Sequence, residues 1–249
     1  MDKKEIRKQL KQRKLPFIAT PFIAHNEAAL LEECKLWKSE TSDIIEWRID
    51  CFDNYKDSDA LLDMYERLRC ELADAIIMVT LRTRQQGGKG DVSEEEYVEL
   101  LSALCACDID LLDIEDSNTN KTKQALIELC SKQGIIAILS YHDFNKSETT
   151  QQIEKRFLSM AEFDADILKV AYMANNEKDV ESLMEATKNS NEKVEQAIIS
   201  ISMGEMGKAS RLDAYQYGSI LTFAFLKDAS APGQISLKEM KEYYKSHFN

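Results

Sequence analysis

The run DADILKVAYMA, residues 164–174, reads as a buried strand with a lysine in its middle. An ammonium without a partner is costly to desolvate, so Lys169 needs a reason to be there. Three other apolar runs carry polar groups in the same manner. Side chains two apart share a face of a strand. In EWRID, Glu46, Arg48 and Asp50 therefore lie opposite Ile45, Trp47 and Ile49. VTLR ends on Arg82, and ILSYH sets Ser140 and His142 against Leu139 and Tyr141. Lys169 shares its face with Ile167 and Ala171, opposite Leu168, Val170 and Tyr172. A partly desolvated lysine amine near cationic arginines has its protonated form disfavoured, and the free amine attacks a ketone or aldehyde to give a Schiff base. The iminium acidifies the adjacent C–H bond, which a histidine can deprotonate as base before acting as acid. Arginines suit an anionic, carboxylated substrate. The set reads as a cofactor-free lyase or aldolase of the iminium type. Asp50, at a strand end, reads as a solvated rim residue.

These side chains converge only if several strands bring their ends together. Strand patterns occur at 16–20, 43–50, 75–82, 109–115, 135–142, 166–173, 196–203 and 219–226. Helical patterns lie between and after them at 27–40, 58–72, 93–106, 119–133, 148–161, 176–189, 207–217 and 236–247. Ser93 in SEEE and Ser236 in SLKE are capping signatures. Eight strands alternating with eight helices predict an α/β chain folded as one (β/α)8 TIM barrel, a single domain over 1–249 with residues 1–15 as an extension or cap. A doubly wound open sheet predicts a glycine-rich turn after the first strand, but that turn is PFIAHNE. In a barrel, Glu46, Arg48, Arg82, His142 and Lys169 all point inwards at or towards the C-terminal strand ends, where barrel enzymes hold their chemistry.

Composition narrows the partners. A net charge of −12 argues against nucleic acid and anionic membranes. No run is long and apolar enough for a bilayer span, and the basic N-terminus lacks a signal peptide's apolar run, so a cytoplasmic location is expected. The six cysteines form no C-x-x-C pair and read as reduced thiols packed like small apolar side chains. A metal site from Cys105 and Cys107 with one of the 3 histidines is discounted.

EWRID, LRTRQQGG, SYHDF, DILKVA, SMGEMGKASR, GSILTF and SAPGQIS, in this order from residue 17 to about 240, resemble the type I 3-dehydroquinate dehydratases. The resemblance implies a (β/α)8 barrel without metal or cofactor, a homodimer, and the small-molecule substrate 3-dehydroquinate. Water is then lost to give 3-dehydroshikimate on the shikimate route of aromatic amino acid biosynthesis. It also implies roles: Lys169 as the Schiff-base lysine, His142 as the base at C2 and the acid at the C1 hydroxyl, and Arg211 as the carboxylate ligand. Glu46, Arg48 and Arg82 would bind ring hydroxyls, Ser230 and Gln234 would belong to a closing loop, and Met203 would pack on the ring. Thr20, replacing a serine of the first strand, is counted with the substrate-binding residues.

Several positions depart from the family pattern. Gln86 stands where a glutamate paired with the histidine is usual, and its amide oxygen can still accept an N–H from the His142 ring. Asp213 and Ala214 replace small residues, and Ile201 replaces a methionine. Two rival functions remain: a class I aldolase, which should show a glycine-rich phosphate cradle in the last two loops, and a degenerate barrel acting as a binding or regulatory module. A binder needs neither His142 nor Lys169.

Overall fold

The computed structural model describes residues 3–247; residues 1, 2, 248 and 249, which the single-domain expectation includes, lie outside the described residues. The strands form where apolar runs can be covered on both sides: β1 (Phe17–Phe22), β2 (Ile44–Arg48), β3 (Ile76–Thr80), β4 (Leu111–Glu115), β5 (Ile136–Asp143), β6 (Ile167–Met173), β7 (Ala197–Met203) and β8 (Leu221–Phe225). From β1 to β7 each strand pairs in parallel with its sequence neighbours, and β8 pairs in parallel with β1. The ring closes between β7 and β8 more sparsely, through a bridge at Ile198 and Ser219. There the Ile220 N–H donates to the Ile198 carbonyl at 2.9 Å and the Ser200 N–H to Ser219 Oγ at 3.0 Å. The last strand is thus shorter than the expected 219–226. A ninth, two-residue strand, β9 (Ile235–Ser236), pairs in parallel with β8.

Helices α2 (Glu27–Ser39), α3 (Ser58–Glu71), α4 (Glu94–Leu104), α5 (Asn120–Gln133), α6 (Thr150–Met160), α7 (Glu177–Asn191) and α9 (Leu237–His247) cover the outside. They start where the caps predict. Ser93 and Glu96 close a capping box, and Ser236 and Glu239 exchange the same pair of bonds. The expected helix at 207–217 is instead one short turn, α8 (Ser210–Asp213), followed by a turn of 3-10 helix that Gly218 stops at φ +99°. Ala209 offers no side-chain acceptor to the first N–H groups, so nothing extends the α-helix backwards.

Two apolar layers follow from the period of two. Ile45, Trp47, Ile77, Val79, Leu112, Leu168, Val170 and Tyr172 face the helices, whereas Ile44, Ile76, Met78, Leu111, Ile138, Ile167 and Ile199 fill the barrel. The N-terminal helix α1 (Lys3–Gln12) adds Ile6 and Leu10 to that inner layer. Its Arg7 guanidinium donates to the Gly134 and Ile135 carbonyls and pairs with Asp166 at 2.9 Å. One mouth of the barrel is thus filled with hydrocarbon. The polar inward positions lie above it, nearer the C-terminal strand ends.

Candidate active site

Register sets the site. Ser140 on β5 stands beside Lys169 on β6, His142 beside Ala171, and Asp113 on β4 beside Thr80 on β3. Lys169, only 2% exposed, donates from Nζ to Asp113 Oδ2 at 2.9 Å and lies 3.8 Å from Glu46 Oε1 and 4.7 Å from the centre of the Phe223 ring. Its nearest charged contacts are therefore acids, where the sequence suggested arginines. Arg82 reaches Asp113 Oδ1 with Nη2 at 2.7 Å and Glu115 Oε1 with Nη1 at 3.0 Å. Thr80 Oγ1 donates to Glu46 at 3.0 Å, which fixes that carboxylate on the floor of the cavity.

Asp113 is the hub. Burial alone would raise its pKa, but Arg82, then Lys169, and the Ser140 hydroxyl at 2.6 Å outweigh that and hold it well below the ordinary carboxylate range. Glu115, held by Arg82 and by the Thr83 N–H and hydroxyl, is raised by its burial. The surroundings of His142 disfavour its charged form. Burial pushes its pKa well below the ordinary value, and the Arg82 and Lys169 cations push further in the same direction.

Arg48 is clamped by Asp50, with Nε and Nη2 each 2.8 Å from one carboxylate oxygen. Burial opposes the Arg48 charge, yet Asp50 more than offsets this and raises its pKa. Asp50 is thus a buried ligand, not the solvated rim residue the strand pattern suggested. After Arg48 the chain enters a 3-10 turn (Ile49–Cys51), which curls the carboxylate back and also offers it the Arg82 and Lys89 N–H groups.

Arg211 differs from the other cations. It is 4% exposed, its Nη2 donates to the Pro232 carbonyl at 3.0 Å, and its buried Nε has no partner among the described residues. Burial, with no carboxylate to oppose it, pushes its pKa down to about 10. An unpaired buried guanidinium is a site for an anion.

Glu46, Arg48, Arg82, His142, Lys169, Met203, Arg211, Ser230 and Gln234 all line one cavity. Ser230 and Gln234 lie on the loop after β8 and bond each other, Gln234 Nε2 donating to Ser230 Oγ at 3.0 Å. Pro232 between them accepts from the Gly204 N–H at 3.2 Å as well as from Arg211, which seats the loop on the end of β7.

Two expectations need correction. Thr20 is not at the cavity. It pairs with Ile45, which faces the helices, whereas the next residue, Pro21, pairs with Glu46 and takes the inward position. The Thr20 hydroxyl is buried without a partner. The Gln86 amide oxygen accepts the backbone N–H of His142 at 2.7 Å rather than a ring N–H, and His142 Nδ1 has no partner among the described residues. The ring is instead flanked by Phe144, 6.4 Å centre to centre and 20° from parallel. Gly87, at φ +80°, makes room for Phe144, since a Cβ there would sit 2.2 Å from its ring.

The sequence reading missed Asp113, Phe144 and Phe223. Asp113 was within reach, because it shares the inward parity of Leu111 and Glu115 in LLDIE. The two phenylalanines carried no signal beyond apolarity.

Eight parallel strands, a charged layer at their C-terminal ends and a buried lysine on the strand next to a buried histidine define a (β/α)8-barrel enzyme acting on a small anionic molecule. Residues 18–249 match the type I 3-dehydroquinase family. The 3-dehydroquinate dehydratase of Listeria innocua is 37% identical over 227 residues, covering 91% of this chain and 90% of that protein. That of Bacillus subtilis is 34% identical over 229 residues, covering 91% and 90%. A crystal structure of the Clostridium difficile type I 3-dehydroquinate dehydratase with covalently modified comenic acid superposes with a TM-score of 0.89 at 35% identity, covering 93% of this chain and 92% of that one. The chain belongs to the type I 3-dehydroquinase family.

Proposed function

We propose that this enzyme eliminates water from 3-dehydroquinate through a Schiff base on Lys169. The reaction itself is the family's, a hydro-lyase step of the shikimate pathway that yields 3-dehydroshikimate. The observation that carries the mechanism is a buried amine and a buried imidazole with an unpartnered ring nitrogen, on neighbouring strands in one cavity with a guanidinium that lacks a carboxylate. The ammonium of Lys169 and the C3 ketone give a protonated imine and one water, so charge and protons balance without another reagent. His142, with burial opposing its charged form and an unpaired ring nitrogen, takes the C2 proton, and the electron pair runs into the iminium to leave an enamine. The enamine expels the C1 hydroxyl, which leaves as water with the proton from His142. A second water then hydrolyses the conjugated iminium and restores Lys169.

In this reading Arg211 holds the substrate carboxylate, Glu46, Arg48 and Arg82 receive the ring hydroxyls, and Met203 packs on the ring. Ser230 and Gln234 close the loop over it. The described residues act as one domain, with α1 as the lid of its lower mouth, and the protein works as a cytoplasmic homodimer. No helix among the described residues is long and apolar enough to cross a membrane, which fits such a location.

Turnover is read from the enone absorbance that appears with product. Arg211→Lys should weaken substrate binding by roughly 1.5–3 kcal/mol, the range for hydrogen bonds to charged groups, because an ammonium cannot supply the bidentate fork. Isothermal titration with a carboxylate analogue checks it, and unchanged affinity in the folded variant would remove Arg211 from this role.

A second prediction concerns position 86. The neutral Gln86 fixes the His142 backbone but adds no charge near its ring. Gln86→Glu places a carboxylate there and raises the histidine pKa. The base form of His142 is required, so the acid limb of kcat/KM should lie at lower pH in the wild type than in the variant. Coincident limbs in the two profiles would show that position 86 does not tune the base.

A further inference from the structure

Asp113 has no role in the scheme above, yet it touches the reacting nitrogen. Its carboxylate is 0% exposed; Oδ2 is 2.9 Å from Lys169 Nζ, and Oδ1 accepts from Arg82 at 2.7 Å and from Ser140 at 2.6 Å. The two arginines closest to this acid layer have carboxylate partners of their own. Arg82 also holds Glu115, and Arg48 holds Asp50. Glu46, the other acid near Lys169, is farther away at 3.8 Å and already accepts from Thr80.

We propose that Asp113 is the counter-ion of the Lys169 iminium and keeps one hydrogen bond to Nζ through the catalytic cycle. The inference rests on the Schiff-base reading. As the ammonium partner of the Asp113 carboxylate, Nζ carries three protons and a positive charge. In the iminium it carries one proton and the same charge, now shared with the ring carbon. Of the three ammonium protons, two leave with the carbonyl oxygen as water and the third remains on nitrogen. The proton directed at Oδ2 is the one geometrically placed to remain. The arrangement does two things. It spares the covalent step any rearrangement of charge, since a carboxylate already stands where the iminium charge forms. It also orients the amine, because a bond from Nζ to Oδ2 fixes the rotation of the terminal C–N bond and with it the direction of the lone pair exposed on deprotonation. Arg82 and Ser140 keep this acid ionised and immobile, so it serves as a fixed charge and not as a proton acceptor.

The strain of charges differs along the cycle. Ammonium and iminium are cationic at nitrogen, the enamine is neutral. Removing the Asp113 charge should therefore deplete the trapped iminium more than it weakens the binding of an analogue that forms no covalent bond. A purely structural role would weaken both together.

The test uses the full chain and three measurements on wild type and Asp113→Asn. Borohydride is added with 3-dehydroquinate, and the adduct on the peptide carrying Lys169 is quantified against time. Binding of a cyclohexane carboxylate with a hydroxyl in place of the ketone is measured by titration calorimetry. Far-ultraviolet dichroism reports folding. The expected result is a fall of at least tenfold in the rate of adduct formation with analogue affinity changed by less than threefold. Trapping at the wild-type rate in a folded Asp113→Asn protein overturns the proposal. So does an equal loss of trapping and of analogue binding. If the asparagine variant does not fold, Asp113→Glu decides: the charge is kept, so trapping within tenfold of wild type supports the proposal, and a folded variant without adduct overturns it. Absence of an adduct on Lys169 in the wild type would instead remove the Schiff-base reading itself, so the two failures are distinguishable.

Discussion

Lys169→Ala should lower turnover of 3-dehydroquinate by roughly 10^4-fold or more, the scale seen when a covalent nucleophile is removed and only binding remains. The loss is chemical rather than structural. Asp113 keeps Arg82 and Ser140, and Glu46 keeps Thr80, so neither carboxylate is stranded by the change. Removing one member of a buried pair still costs stability, on the order of 3–5 kcal/mol at most. The variant must therefore be assayed after dichroism and urea unfolding show it folded. Substrate affinity should be reduced far less than kcat, because Arg211 and the Arg48 pair are untouched.

His142→Ala should lower kcat by roughly 10^2–10^4-fold, the range for a positioned general acid–base group. It should leave the first covalent step in place. Iminium formation needs Lys169 and the ketone, whereas C2 deprotonation needs the imidazole. The variant is thus expected to accumulate an adduct that wild type passes through quickly. Intact-protein mass spectrometry after borohydride quenching reads this directly. A His142→Ala protein that turns over within tenfold of wild type would contradict the assignment. The pH dependence follows from the same environment. Burial, with Arg82 and Lys169 beside it, depresses the folded-state pKa of His142 below its unfolded value. Its contribution to stability is therefore full above the unfolded value near ~6.5 and declines as pH falls below it.

How much of this was readable in the sequence depends on which interaction set each position. The barrel was legible because apolar alternation with period two and capping signals at Ser93 and Ser236 are local. The inward placement of Glu46, Arg48, Arg82, His142 and Lys169 followed from the same period. Parity also accounts for the errors. Thr20 was assigned to the cavity, yet β1 extends to Phe22 and its inward residue at that level is Pro21. Asp50 lies past the end of β2, where a 3-10 turn breaks the alternation and returns its carboxylate to Arg48. Gln86 meets the backbone of a residue 56 positions away, a contact no spacing rule reports. The isolation of Arg211 belongs to everything packed around it, so only the folded chain reveals that its guanidinium lacks a carboxylate. Lys169 shows both sides: its strand and face were readable, but its acidic neighbours Asp113 and Glu46 come from β4 and β2.

The central claim is that Lys169 becomes covalently joined to the substrate. The direct measurement is borohydride reduction during turnover of 3-dehydroquinate, followed by peptide mass spectrometry of the wild-type protein. A single stable adduct on the peptide carrying Lys169, absent from Lys169→Ala, is the predicted result. An adduct on another lysine, or turnover in wild type with no adduct at any borohydride concentration, would contradict it.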